Sequence, residues 1–192
     1  MFFYLPTKRS LQGARLLCVA ALLSLFSLVS PGSVSAAPQT RAEHVQAVFL
    51  YNLASFVNWP ETWTEHSEYF TIGIVGDTPF GAIINQVVAG EQWRGKPMRV
   101  VHFDEPEEIR GRLCDILYIG SDRLRQFDNF KKRLEGLPIL TVADSPGFLE
   151  MGGMINLVRK QQRLGMGVNL QAVRYSGLSI SSKLLRLATI VE

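Results

Sequence analysis

The chain has 192 residues with 20 basic and 17 acidic side chains, a length that suits one ordinary domain. Three of the 20 basic residues and none of the 17 acidic ones precede Ala37, so 17 of each remain after it. A formally neutral domain lacks the positive field that attracts nucleic acid. Composition and charge therefore exclude nucleic acid from the expected partners.

Residues 1–36 have the pattern of a secretory signal peptide. Basic residues precede an uncharged apolar run over 16–29, and small residues lead up to a cleavage position after Ala36. The apolar run is shorter than the roughly 20 residues that cross a bilayer, although a retained membrane anchor is the alternative. We therefore predict that the protein is exported and cleaved, leaving a single domain over residues 37–192.

The next part of the chain alternates between helical and strand patterns. The predicted elements are a helix over 42–59, a strand over 70–75, a helix over 80–88, a strand over 98–103, a short helix over 106–112, a strand over 116–119, a helix over 122–134 with Ser121 as its cap, and a strand over 139–142. Apolar strands that alternate with helices are typical of a parallel sheet covered on both faces. The predicted fold class is a single-domain α/β fold with a mostly parallel sheet, Rossmann-like or flavodoxin-like.

The alternation of strands and helices ends after residue 142. Strands are predicted over 154–158 and 164–170, the second as a hairpin partner of the first, followed by a helical segment over 170–175 that ends near Gly177. A C-terminal helix is predicted over 183–189, with Ser181 or Ser182 as its cap.

Ligands of such sheets bind at the carboxyl ends of the strands. Asp77 and Ser121 follow two predicted strands, so they are candidates for lining a small ligand pocket. The glycines around Asp77 have the spacing of a phosphate-binding loop, but Ala82 and Ile83 stand where that loop needs lysine and a hydroxyl. We predict no nucleotide cofactor.

The residues that carry catalysis or hold metals are scattered. His44, His66 and His102 lie in three different segments without metal-ligand spacing, and no serine lies in a nucleophile-elbow pattern. Cys114 precedes a predicted strand, where a small buried residue is favoured over a reactive thiol. We predict no catalytic residues, no metal and no cofactor, and a binding or regulatory role rather than an enzyme.

Two segments carry a family resemblance: 47–60 (AVFLYNLASFVNWP) and 155–188, which contains INLV, NLQAVR and GLSISSKLLRLA. Together they resemble the YfiR family of periplasmic regulators. The resemblance covers essentially the whole chain after the signal peptide. It implies a compact, periplasmic α/β protein that can dimerise.

The resemblance also implies a function. Family members repress an inner-membrane diguanylate cyclase through its periplasmic domain, which lowers cyclic di-GMP and biofilm formation. An outer-membrane lipoprotein with a peptidoglycan-binding domain sequesters the repressor. The family also occurs attached to sensor kinases, so the client protein varies.

Apolar residues bordered by basic ones follow Asn169 in the second segment. An apolar patch with a basic rim is the usual composition of a transient partner site. The candidate partner-binding residues are Asn169, Arg174, Leu178, Ile180, Lys183, Leu184 and Arg186. The alternative is that the leucines only close the open face of the sheet.

This chain departs from the family at Gly167, where many members carry an acidic residue, and partner choice is expected to differ if that acid pairs with the cyclase. It also lacks the disulfides of several members, because only Cys114 remains after cleavage. The alternative function is a periplasmic small-molecule-binding module that feeds a sensor kinase through Asp77 and Ser121.

Overall fold

A computed structural model describes residues 38–76, 78, 80–104, 108–109, 114–160 and 163–191. These residues belong to one compact unit that begins at residue 37. The predicted signal peptide, Asp77 and most of the predicted helix over 106–112 lie outside the described residues.

The elements, numbered in chain order, are helices and strands of moderate length. The helices are α1 (Pro38–Leu53), α2 (Glu61–Thr64), α3 (Phe80–Val88), α4 (Phe127–Leu134), α5 (Leu170–Tyr175) and α6 (Ser182–Leu185), with a 3-10 helix over Ser121–Gln126. The strands are β1 (Val57–Asn58), β2 (Phe70–Val75), β3 (Gln92–Trp93), β4 (Lys96–Phe103), β5 (Ile116–Ile119), β6 (Leu140–Ala143), β7 (Ile155–Lys160), β8 (Arg163–Asn169), β9 (Ser179–Ile180) and β10 (Thr189–Val191).

Eight strands form one sheet in the order β10-β8-β7-β6-β5-β2-β4-β3. The five strands from β7 to β4 are parallel and follow the flavodoxin order, because β2, the first of the five along the chain, lies between β4 and β5. β8 runs antiparallel to β7 as a hairpin, and β10 returns parallel to β8. The predicted fold class is confirmed.

The central strands are buried on both faces. Ile72 and Ile116 belong to a core cluster that includes α1 and α3, whereas Val75 and Leu117 belong to a second cluster that includes α4. Gly73 has no side chain because a Cβ there would lie 2.7 Å from the Phe103 ring. Coverage on both faces explains why these strands read as continuous apolar runs.

The predicted first helix is too long. α1 ends at Leu53, and residues 57–58 instead form β1, which pairs with β9 so that Val57 faces Ile180. Trp59 is buried, with its ring edge-to-face against Phe70. The apolar side chains beyond Leu53 are buried in the core although their backbone is not helical. Their spacing in the sequence happens to resemble that of a helix, which explains the wrong prediction.

Two further element predictions are wrong. The predicted C-terminal helix over 183–189 ends at Leu185, and Thr189–Val191 adds a parallel strand to β8. The predicted helix over 122–134 is split. Ser121 is the first residue of a 3-10 helix, and the capping position is Gly120, which has no side chain to form a cap. Ser181, in contrast, caps α6 by accepting a hydrogen bond from the Leu184 backbone N–H.

One buried carboxylate joins the elements at the amino ends of the strands. Asp115, 5% exposed, accepts hydrogen bonds from the Thr71 N–H at 2.7 Å and from the Trp63 indole Nε1 at 3.0 Å. Its own backbone N–H donates to the Thr71 carbonyl, and its carbonyl accepts from the Leu140 N–H. Asp115 therefore connects β2, β5, β6 and α2.

We expect Asp115→Asn to lower the free energy of unfolding by about 2–4 kcal/mol, because the amide cannot accept from both donors in a buried position. Urea unfolding measures this change. The matched control is the exposed Asp128→Asn on α4, expected to cost less than about 1 kcal/mol. Equal losses in the two variants would contradict the role of Asp115.

Candidate functional site

The carboxyl ends of β2 and β5 meet where the strand order reverses, the place where such sheets bind ligands. The Asp122 carboxylate fills the space beside Gly76 and Gly120, and its Oδ2 lies 3.4 Å from Arg123 Nε. Ser121 is exposed at this point. The space between these two strand ends is thus occupied by the protein's own side chain.

A pocket lies at the same edge of the sheet, on the face covered by α1 and α3. Its volume is about 390 Å³, and we call it the polar pocket. It is lined by Glu43, Gln46, Thr78, Phe80, Tyr118, Asp144, Leu157, Arg159 and Leu164. Ser121 is not among these residues, so the structure does not bring it to the pocket.

Three elements supply the pocket's polar groups. α1 carries Gln46, Asp144 follows β6, and Arg159 lies on β7. Gln46 is 3% exposed; its Nε2 donates to Asp144 Oδ2 at 3.0 Å, and its Oε1 accepts from Arg159 Nη2 at 3.4 Å. This amide therefore holds an acid and a base at fixed positions on opposite sides of itself.

The Tyr118 hydroxyl completes the polar wall. Burial raises the pKa of Tyr118, and so do the charge of Asp144, a hydrogen bond with Asp144 and the charge of Glu43, while Arg159 opposes the shift. The Tyr118 ring stacks on Phe80 with centroids 4.4 Å apart. The hydroxyl thus remains protonated at neutral pH and donates toward Asp144.

The predicted partner-binding residues divide into buried and exposed groups. Leu178 and Leu184 are 3% and 2% exposed and belong to the core, and Ile180 is half-buried. Asn169 is structural: its Oδ1 caps α5 at the Ala172 N–H, and its Nδ2 donates to the Leu149 carbonyl. The alternative interpretation, in which the leucines close a face of the sheet, therefore describes Leu178 and Leu184.

The exposed residues of α5, of α6 and of the turn after α6 are together called the C-terminal surface. It consists of the predicted Arg174, Lys183 and Arg186 together with Tyr175 and Leu187, which are 70% and 76% exposed. Tyr175 and Leu187 are not among the predicted partner-binding residues. The signal was present for Tyr175, because α5 buries Leu170 and Val173, and Tyr175 lies off that stripe.

Gly167 is buried in β8, next to β7 and β10. A Cβ at this position would lie 2.6 Å from the Leu149 side chain. An acidic residue here would need Leu149 to move. The close packing of Leu149 therefore fits the presence of glycine, rather than an acidic residue, at position 167.

Cys114 is buried, as predicted. Burial raises the pKa of its thiol, and the neighbouring Asp115 charge adds to the shift. The thiolate that reacts with oxidants or disulfides is therefore disfavoured.

Two further features concern metals and membranes. Within the described ranges, no group of three His, Cys, Asp or Glu side chains could hold a metal ion. No helix in that same part of the chain has the length and apolar character needed to span a membrane.

An α/β domain with a ligand-sized pocket and an exposed basic and apolar surface has the features of a binding protein. Residues 43–189 match the model of the YfiR/HmsC-like family, and the chain belongs to this family. Its members are periplasmic regulators of diguanylate cyclase signalling. The resemblance found in the sequence is confirmed.

Solved structures share the architecture at low identity. One is an ABC domain from Streptococcus pneumonia in complex with L-Trp, with a TM-score of 0.51 and 12% identity over 79% of this chain. Another is a conserved domain protein from Vibrio cholerae, with a TM-score of 0.49 and 12% identity over 79% of this chain. The chain spans 60% of the length of each. The first likeness supports the α/β fold alone.

Leu184 is buried in the core, although it is among the predicted partner-binding residues. We expect Leu184→Ala to lower the free energy of unfolding by about 2–4 kcal/mol, since it removes a buried side chain. Leu187→Ala, three residues further along and exposed, is expected to change it by no more than about 0.5 kcal/mol. Chemical denaturation of both variants checks this, and similar midpoints would contradict the assignment.

Proposed function

We propose that this protein binds the periplasmic domain of an inner-membrane diguanylate cyclase and holds the enzyme in an inactive arrangement. Cellular cyclic di-GMP and biofilm formation are then lowered. The observation that carries the proposal is the family match over residues 43–189. The predicted export signal supports it, since a periplasmic protein reaches a cytoplasmic messenger only through a membrane partner.

The C-terminal surface is the proposed contact with the cyclase. Arg174, Lys183 and Arg186 give it a positive charge, and the exposed Tyr175 and Leu187 are apolar anchors. Arginine and tyrosine are enriched among residues that dominate binding energy. The buried Leu178 and Leu184 act indirectly, by supporting the backbone on which these side chains stand.

Two further partners follow from the family. A homodimer is supported by β10, an outer strand of the sheet whose three residues are exposed, because such edges pair readily with other strands. An outer-membrane lipoprotein with a peptidoglycan-binding domain is proposed to sequester the protein. Binding to it removes the repressor from the cyclase by mass action.

Deletion of the gene is expected to raise cellular cyclic di-GMP, because the repressor no longer selects the inactive cyclase. Extraction and mass spectrometry of the nucleotide measure the change. A strain that also lacks the cyclase is the control and should show no rise. An unchanged level in the strain that keeps the cyclase would overturn the proposed function.

The double charge reversal Arg174→Glu with Arg186→Glu is expected to weaken binding of the cyclase periplasmic domain by at least about tenfold, since both arginines are exposed on the C-terminal surface. Calorimetric titration measures the dissociation constant. Arg125→Glu, at an exposed position of the 3-10 helix, is the matched control and should bind like the parent protein. Tight binding by the double variant would show that the cyclase contacts a different surface of the protein.

A further inference from the structure

We propose that the polar pocket binds a small organic molecule that carries a protonated amine and an apolar body. The position supports a ligand site. Tyr118 lies on β5, Thr78 follows β2 and Asp144 follows β6, so the pocket is at the carboxyl ends of three neighbouring parallel strands. Its volume of about 390 Å³ falls within the range of small-molecule pockets.

The charges of the lining select the amine. Glu43 and Asp144 are carboxylates, whereas Arg159 is the cation of the lining. Arg159 donates to Gln46 Oε1, so part of its hydrogen-bonding capacity is already used. The pocket keeps an excess of one negative charge, which favours a cation over an anion.

The two carboxylates line the pocket from different elements, Glu43 on α1 and Asp144 in the loop after β6. The charges of both raise the pKa of the Tyr118 hydroxyl. An ammonium group has three donors and no acceptor, so carboxylate oxygens from two directions match its hydrogen-bonding pattern. Gln46 fixes the direction of the Asp144 carboxylate by donating to it from a buried position.

The remaining wall is apolar and suits the body of the ligand. Phe80 and Tyr118, whose rings stack on each other, belong to this wall, and the aliphatic Leu157 and Leu164 come from the β7–β8 hairpin. An aromatic or branched aliphatic group would bury apolar area mainly against the partly exposed Leu164, since the other three side chains are 3% exposed or less. A free amine and an amino acid share the protonated amine, and Arg159 could pair with the carboxylate of the second.

Calorimetric titration of the purified protein with four matched probes tests the proposal. 2-Phenylethylamine carries the amine alone, phenylalanine carries the amine and a carboxylate, 3-phenylpropanoate carries the carboxylate alone, and 2-phenylethanol is uncharged. We expect saturable binding of 2-phenylethylamine, of phenylalanine or of both, with no binding of the other two. Preference between the two amines shows whether Arg159 takes part. Binding of 3-phenylpropanoate in preference to both amines, or of no probe, would overturn the proposal.

Asp144→Asn keeps the shape of the side chain and removes its charge. It is expected to weaken the binding of the amine probe by at least about tenfold, because a charge-assisted hydrogen bond is lost. The exposed Asp128→Asn is the matched control and should bind like the parent protein. Unchanged affinity in a folded Asp144→Asn protein would contradict the assignment. The outcome is independent of cyclase binding, since the probes are titrated without any partner.

Discussion

The carboxylate of Asp115 is the constraint on which the sheet depends. A charge that is 95% buried must be compensated by donors, and here the backbone of Thr71 and the indole of Trp63 supply them. Main-chain hydrogen bonds of the same residue reach Thr71 in β2 and Leu140 in β6. The relative register of three parallel strands is thus set at their amino ends. That register decides which side chains reach the opposite edge, where Tyr118 lines the polar pocket.

Local sequence patterns predicted the elements whose boundaries are set locally. β2 and β5 begin and end at the predicted residues because continuous apolar runs are bounded by turns, and α3 also has the predicted bounds. The errors lie where a distant strand decides the backbone. β1 exists because residues 57–58 pair with β9, more than 120 residues away, and β10 exists because residues 189–191 pair with β8. The apolar residues in both segments have helical spacing because they are buried against the core. Spacing alone does not distinguish a buried helix from a buried segment that is not helical.

The sites were harder to predict than the fold for a related reason. Ser121 is predicted to line a pocket because it follows a strand, but following a strand does not say which face of the sheet a side chain takes. Gln46 and Asp144 are 98 residues apart and form a hydrogen bond that no local pattern announces. At the C-terminus the sequence shows which residue types are present but not which of them are exposed. Leu184 and Leu187 are the same amino acid three positions apart, yet one is buried beneath the α6 turn and the other faces solvent.

The β7–β8 hairpin connects the two regions that carry the functional proposals. Arg159 and Leu164 lie near its tip and line the polar pocket, while Asn169 at the other end of β8 caps α5, which carries Arg174 and Tyr175. The ladder between the strands is continuous from Ile155–Val168 to Lys160–Arg163. A ligand changes the affinity of a partner only if it prefers one of two arrangements of the protein. Because the pocket wall and the helix cap are parts of one paired element, a ligand that preferred one position of the hairpin would act on the backbone of α5.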